Sequence, residues 1–171
     1  MIVTSGKHYL ALVLTKQCRE ELLRLYPPRY KLVKCKHITI QYDIWPDQVE
    51  RLQKFVSCYP EFTAARLIRT NCLDVLEVFG NSTPFRPLGG CFHVTLSHTE
   101  ERSSSDSNDV LHFVHESWRY DEDDHRIAEF HEQYGELEIV RINQDRPLRL
   151  SGYMELVPHP VQAEDVYAAS G

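Results

Sequence analysis

Two short segments carry the same kinds of side chain in the same order, and these side chains suit chemistry on a phosphate. The segments are residues 35–40 (CKHITI) and residues 91–96 (CFHVTL). Each has a histidine, a β-branched apolar residue, a threonine and a second apolar residue, in a run that predicts a β-strand. An imidazole moves protons near neutral pH, and a hydroxyl donates hydrogen bonds to anionic oxygens.

Strand geometry places the two reactive side chains of each segment together. Alternate side chains of a strand point to the same face, so His37 lies beside Thr39 and His93 beside Thr95. Two such pairs facing each other would hold one phosphodiester between them. We predict His37 and His93 as a general acid–base pair, with either as the base, and Thr39 and Thr95 as ligands of the phosphate oxygens. This chemistry requires no metal or other cofactor.

The same alternation sorts the neighbouring polar residues. Gln41 and Ser97 fall on the predicted active faces and are candidate substrate contacts. Lys34 and Lys36 fall off the His37 face, which favours exposure to solvent.

Three further residues near the segments have a competing structural interpretation. Tyr42 and Phe92 have the parity of the core, unless a strand is bulged. Arg86, with Gly89-Gly90, leads into the second segment, where the loop is either a plain turn or a cover for the ligand.

Two alternatives remain open at this level. Because Cys-x-His occurs twice, Cys35, His37, Cys91 and His93 could form a zinc site, although this spacing within one regular strand is awkward for tetrahedral ligation. A module that binds a nucleotide or RNA end without turnover would also use such a cleft.

Composition limits the class of protein. The chain has 171 residues, 42% of them hydrophobic and 26% charged, which fits one globular domain, and we assign it to residues 1–160 with a disordered tail at 161–171. Its net charge of −6 argues against an extensive nucleic-acid surface. Five scattered cysteines and no apolar run of membrane-spanning length indicate a cytoplasmic protein, and we expect a monomer.

The order of predicted elements indicates an α+β fold. After a loose start at 1–8, we predict helices over 16–26, 46–58 and from 110 onward, the last preceded by a polar loop at 99–109. Residues 116–135 are predicted to be a charged surface insertion with some helix. The predicted strands are 9–14, 33–43, 63–71, 73–79, 91–98, 137–142 and 149–157.

The two His-x-Thr strands and their order resemble the 2H phosphoesterase superfamily, the LigT-like cyclic phosphodiesterases. The opening strand and residues 107–111 (SNDVL) are similar to the cyclic phosphodiesterase domains of fungal-type tRNA ligases, and the second of these adds Ser107 as a candidate substrate contact. The resemblance implies two pseudo-twofold lobes of antiparallel sheet with flanking helices, each placing one motif in a central cleft.

The resemblance also implies the class of reaction. Members hydrolyse 2',3'-cyclic phosphates or 2'-5' linkages without metal, and some phage and viral members degrade cyclic nucleotide signals of host immunity. The expected partner is therefore a cyclic nucleotide, an oligonucleotide or an RNA end.

Overall fold

The predicted α+β class is confirmed by two antiparallel sheets with helices packed beside them. The computed structural model describes residues 4–48, 61–81, 83–86, 89–117, 126–142 and 145–160. In these residues the strands are β1 Thr4–Leu14, β2 Leu32–Val33, β3 His37–Ile44, β4 Phe62–Arg69, β5 Leu73–Gly80, β6 His93–His98, β7 Arg126–His131, β8 Gly135–Arg141, β9 Arg149–Leu150 and β10 Gly152–Pro160. The α-helices are α1 Lys16–Leu25 and α2 Asp106–Ser117.

The smaller sheet has the strand order β10-β1-β3. Its middle strand, β1, has Leu10, Leu12 and Leu14 in the core, as its alternation requires. β1 begins at Thr4 and pairs with β10 as far as Pro160, so the prediction of a loose segment is wrong for residues 4–8. The long partner strand supplies backbone hydrogen bonds that the polar sequence alone does not reveal.

The larger sheet has the order β2-β6-β5-β4-β8-β7, with β9 paired to β4. The predicted hairpin of β4 and β5 is confirmed, and β5 is central, which explains its apolar sequence. Leu76 and Val78 of β5 belong to the hydrophobic cluster shared with the smaller sheet. Leu73 and Val75 belong to a second cluster, against which α2 packs.

The chain crosses from one sheet to the other immediately before the first motif. The predicted strand over 33–43 is divided, because β2 pairs with β6 of the larger sheet and β3 with β1 of the smaller. Cys35 lies between them with a φ of 51°. Lys34 and Cys35 donate backbone hydrogen bonds to the carbonyls of Leu96 and Thr95. This crossing holds the start of β3 against β6.

A side-chain hydrogen bond lies at the start of each described α-helix. The Thr15 hydroxyl accepts from the Cys18 N–H at 3.1 Å, and the predicted helix over 16–26 is confirmed as α1. α2 begins at Asp106, earlier than predicted, because the Asp106 carboxylate accepts from the Ser103 N–H at 2.8 Å and closes the first turn. Ser107 therefore lies in the helix and not in the predicted loop.

The region predicted as a surface insertion is partly sheet. β7 and β8 form a hairpin that continues the larger sheet from β4, with Tyr134 fully buried at its turn and Gly135 at a φ of 72°. The helical prediction is therefore wrong for residues 126–135. The acidic cluster 121–124, most of the predicted helix over 46–58 and the tail 161–171 lie outside the described residues.

The described cysteines are buried free thiols: Cys18, Cys35, Cys72 and Cys91. None of the helices in the described parts of the chain is both long and apolar enough to cross a membrane.

Candidate functional site

The two motifs, which are 56 positions apart, meet at one narrow cavity where β3 approaches β6. The cavity has a volume of about 50 Å³. It is lined by Lys34, Lys36, His37, Thr39, Tyr42, His93, Thr95 and Ser104. A pocket that encloses a drug-sized ligand measures roughly 300–1,000 Å³. This cavity therefore has room for one small group of a ligand, with the remainder lying across its rim.

The smaller sheet orients the first motif. His37 and Thr39 pair with Val13 and Ala11 of β1, while Ile38 is fully buried in the core. The residue opposite Thr39 is Ala11, whose side chain is a single methyl group. The Tyr9 ring, next along that face of β1, lies 5.6 Å from the His37 ring. Sequence reasoning missed Tyr9 because it counted only as part of an apolar strand.

Two irregularities in β3 change the side of the sheet to which the residues after Thr39 point. Ala11 pairs with Thr39 but Leu10 with Gln41, so β3 contains an extra residue here, and a second shift coincides with Asp43 at a φ of 55°. Tyr42 therefore lines the cavity, and its assignment to the core is wrong. Gln41 is half-buried and is not among the lining residues, so the structure does not bring this candidate contact to the cavity.

Lys34 and Lys36, which were expected in solvent, both line the cavity; Lys36 is exposed as expected, whereas Lys34 is half-buried. Because residues 34–36 form the crossing between the sheets, the regular alternation of a strand does not apply to them. Lys34 and Lys36 are the charged residues of the lining, and among the described residues no carboxylate accompanies them there. A chain with a net charge of −6 thus presents a locally positive cavity, which favours an anion.

His93 is held in one tautomer. Its Nδ1 lies 2.9 Å from the Cys91 carbonyl, which can only accept, so the neutral ring carries its proton on Nδ1 and keeps a lone pair on Nε2. Burial lowers the pKa of His93 to about 4, and the charges of Arg86 and His37 act in the same direction. At neutral pH the ring is therefore uncharged and suited to accept a second proton on Nε2.

His37 is less enclosed than His93. Burial lowers the pKa of its imidazole, and the neighbouring Lys36 ammonium adds to the effect. An anion in the cavity would oppose both causes and favour the protonated ring.

A buried ionic network lies beside His93. Glu77 is its cross-strand neighbour on β5 and is fully buried. The Glu77 carboxylate accepts two hydrogen bonds from Arg66, at 2.8 and 2.7 Å, and one from His115 Nε2 at 2.8 Å. Hydrogen bonds to Cys91 and Glu77 raise the pKa of His115 to about 9. Two cations thus neutralise Glu77, which keeps its charge from stabilising a protonated His93.

The hydroxyl of Thr95 is fixed by the start of α2. It donates to the Ser104 carbonyl at 3.3 Å and lies 2.8 Å from the Ser107 hydroxyl. Ser107 is fully buried, so it reaches the cavity through Thr95 and not directly. Ser104 lines the cavity and was missed by sequence reasoning, although the run of serines after the second motif was visible.

Ser97 does not reach the cavity. Thr95 pairs with Val75 and Ser97 with Asp74, so β6 has an extra residue between them and the alternation is broken. The Ser97 hydroxyl is buried and accepts from the Tyr30 N–H at 3.3 Å. Phe92 is in the core, as its parity predicted.

The zinc alternative receives no support from the geometry. Across the described ranges, no group of three or more His, Cys, Asp and Glu side chains is arranged to hold a metal ion. Burial raises the pKa of the Cys35 thiol to about 11, which opposes the thiolate that a zinc ligand must be.

A larger cavity of about 600 Å³ lies elsewhere, between the β4–β5 turn and β8. Its Arg29 is bound to the Asp74 carboxylate at 2.6 and 2.8 Å, and its Arg69 lies 4.0 Å from Glu138. These cations are already paired, so we assign the candidate site to the narrow cavity between the motifs.

No known protein family and no curated protein matches the sequence. The fold is similar to a solved structure of a fungal RNA kinase, with a TM-score of 0.64 and 12% sequence identity. The match covers 92% of this chain and 46% of that chain, so this chain spans less than half of its length. At this identity the likeness shows the fold alone, an α+β arrangement of two antiparallel sheets.

Proposed function

We propose that the protein is a metal-independent phosphodiesterase that hydrolyses a 2',3'-cyclic phosphate at an RNA end. The observation that carries the proposal is the meeting of two His-x-Thr pairs, one from each sheet, around a cavity for one small anionic group. Opposed imidazoles provide the base and the acid that an in-line displacement at phosphorus requires. The fold neighbour is an RNA kinase, which favours RNA ends over the 2'-5' linkages and cyclic oligonucleotides that the same chemistry would serve.

In this mechanism His93 is the base. Its Nε2 lone pair takes a proton from water, and the water oxygen attacks phosphorus. The bond from phosphorus to one ribose oxygen breaks, and protonated His37 donates its proton to that oxygen. The products are a phosphomonoester and a ribose hydroxyl, and the two imidazoles have exchanged protonation states.

The hydroxyls and lysines hold the phosphate during this step. Thr39 and Thr95 donate to the non-bridging oxygens, whose charge must be stabilised through the transition state; for Thr95 the single hydroxyl hydrogen turns from the Ser104 carbonyl to the phosphate, while its oxygen stays beside the Ser107 hydroxyl. Lys34 and Lys36 add positive charge at the cavity, and the phosphate in turn raises the proton affinity of His37 for its role as acid.

Hydrolysis of a defined substrate tests the proposal. The purified chain is incubated with an RNA dinucleotide ending in a 2',3'-cyclic phosphate, in excess chelator, and products are separated by chromatography that distinguishes 2'- from 3'-phosphates. We expect one phosphomonoester from the unmodified chain. His37→Ala or His93→Ala should lose about 10²–10⁴-fold in rate, the usual contribution of a general acid or base.

The matched control is His112→Ala, because His112 is an exposed histidine of α2 that pairs with Glu116 on the same helix. Its rate should stay within about twofold of the unmodified chain. Full activity of both cavity variants would refute the paired-histidine mechanism. Retention of the RNA without any product would instead identify a binding module.

A further inference from the structure

Arg86 is a buried cation whose hydrogen-bonding capacity is largely unused. It is 8% exposed, and its Nη2 donates to the Asn108 side-chain oxygen at 2.9 Å. Its Nε and Nη1 are buried and have no hydrogen-bond partner among the described residues. Leaving charged donors unsatisfied away from water is costly, so a guanidinium in this state points to an acceptor that binds there.

The surrounding loop is shaped to keep the guanidinium in place. The Arg86 N–H donates to the Gly90 carbonyl at 2.8 Å, and Gly90 has a φ of 80°. A Cβ at Gly90 would overlap Arg86 Nη2, so only glycine leaves room for it. Asn108 lies in the first turn of α2 and fixes the other side of the guanidinium. Arg86 is therefore held by the backbone on one side and by a helix on the other.

Arg86 lies directly behind the cavity wall. Its Cζ is 5.0 Å from the centre of the Tyr42 ring, and Tyr42 lines the cavity. Arg86 adjoins the His93 end of β6, because Phe85 and Cys91 bridge just before that strand. Lys34 lies at the opposite end, where its N–H donates to the Leu96 carbonyl. Arg86 and Lys34 are therefore cations at opposite ends of the second motif.

We propose that Arg86 binds a second phosphate of the ligand, next to the phosphate that occupies the cavity. The inference rests on the proposed function in taking the cavity's occupant to be a phosphate. It narrows the substrate class to oligonucleotide ends, which carry a phosphodiester beside the terminal phosphate, and disfavours single nucleoside cyclic phosphates. The Tyr42 ring, 37% exposed, covers the guanidinium on the cavity side, and its rotation admits the second phosphate.

Guanidinium chemistry suits this role. The unpartnered Nε and Nη1 donors lie on the two different edges of the planar guanidinium, each edge shared with Nη2, so the second phosphate binds along one of these edges, with the rigid fork of donors that makes arginine a phosphate ligand. A lysine ammonium in the same place would be a point charge without that fork. The cavity itself, at about 50 Å³, has no room for a second phosphate, so the second one must bind at its rim.

Binding measurements test this without requiring turnover. Titration calorimetry compares adenosine 3'-monophosphate with the dinucleotide ApAp, which adds one phosphodiester beside the terminal phosphate. In the unmodified chain we expect ApAp to bind on the order of 10–100-fold more tightly, the size expected for charge-assisted bonds. In Arg86→Gln this ratio should fall toward one, and in Arg86→Lys it should be intermediate.

Two controls separate the explanations. Arg24→Gln removes the same charge from an exposed position of α1 and should leave the ratio unchanged. Lys34→Gln removes the cation at the other end of the cavity and should also leave this ratio of affinities unchanged. Thermal unfolding checks that each variant folds. If Arg86→Gln does not fold, the ratio measured in Arg86→Lys provides the test.

The proposal is overturned if Arg86→Gln lowers both affinities equally, or if the ratio is lost in Lys34→Gln instead. Failure of the proposed function has a different signature, because a chain that hydrolyses no cyclic phosphate can still show an ApAp preference that depends on Arg86.

Discussion

The pH dependence of kcat/KM provides the sharpest test of the roles assigned to the histidines. This parameter reports the protonation of the free enzyme, in which the base must be neutral and the acid protonated. Because burial and nearby cations lower the pKa of His93 to about 4, its neutral fraction is about nine-tenths at pH 5, half at pH 4 and one-tenth at pH 3. The acidic limb should therefore fall near pH 4, well below the 6.5 of an ordinary histidine.

The alkaline limb follows from His37. Burial and Lys36 lower its pKa from 6.5, so the protonated acid is already being lost below that pH. Activity at low substrate should consequently peak between about pH 4 and 6.5 and decline towards neutrality. At saturating substrate the bound phosphate favours protonated imidazole, so the maximum of kcat should lie at higher pH than that of kcat/KM.

Initial rates on the dinucleotide cyclic phosphate over pH 3–9 measure both limbs, and circular dichroism at each pH verifies the fold. Nuclear magnetic resonance titration of the His93 ring measures the same pKa directly and does not depend on turnover. An acidic limb near 6.5, together with a His93 ring that titrates there, would refute the reasoning from burial and tautomer. Arg86→Gln should move the His93 titration upward, because it removes one of the cations that lower this pKa.

Two further predictions concern the surroundings of His93 and Thr95. Ser107→Ala should lower kcat about fivefold with little change in KM, because it removes the hydrogen bond, worth about 1 kcal/mol, that fixes Thr95. The control Ser97→Ala removes a hydroxyl bonded to Tyr30 and should leave kcat unchanged. Equal losses of kcat in the two variants would mean that packing and not positioning of Thr95 is responsible. Protonation of His115, whose pKa is raised from 6.5 to about 9, should contribute about 3 kcal/mol to the free energy of unfolding. This contribution is fully present below pH 6.5 and is lost as pH rises through 9. Urea unfolding at pH 6 and pH 10 measures this difference, and an undiminished pH dependence in His115→Asn would contradict it.

The parts of the fold that could be predicted from sequence are those with a local cause. α1 follows from Thr15 as its cap and Leu22 on its buried face. The β4–β5 hairpin follows from two apolar runs separated by a short polar turn. Such signals act within one or two turns of chain, so a single sequence contains them in full.

The parts that could not be predicted depend on which strand pairs with which. The hairpin of β7 and β8 gains its order from β4, which is more than 60 positions earlier in the chain. Strict alternation predicted that Gln41 and Ser97 point into the active site. Each follows an extra residue that breaks the alternation, and this residue is visible only in the register of β3 against β1 and of β6 against β5. Arg86 was noted in the sequence only as part of a loop that is either a turn or a cover for the ligand, because its burial and unsatisfied donors depend on the folded structure.

The departures from regular geometry concentrate in and beside the two motif strands, and this distribution bears on function. Of the three described non-glycine residues with a left-handed backbone, Cys35 lies just before β3 and Asp43 near its end, while Asn81 lies in the turn after β5. Such conformations cost of order 1–3 kcal/mol each and persist only where the surroundings enforce them. The conformation of Cys35 allows the chain to change sheets and brings Lys34 and Lys36 to the cavity. The conformation of Asp43 returns Ile44 to the core, after Tyr42 has turned towards the cavity. A fold that only had to bury its apolar residues would be more stable with two regular strands, so the irregular backbone is best explained by the site that it builds.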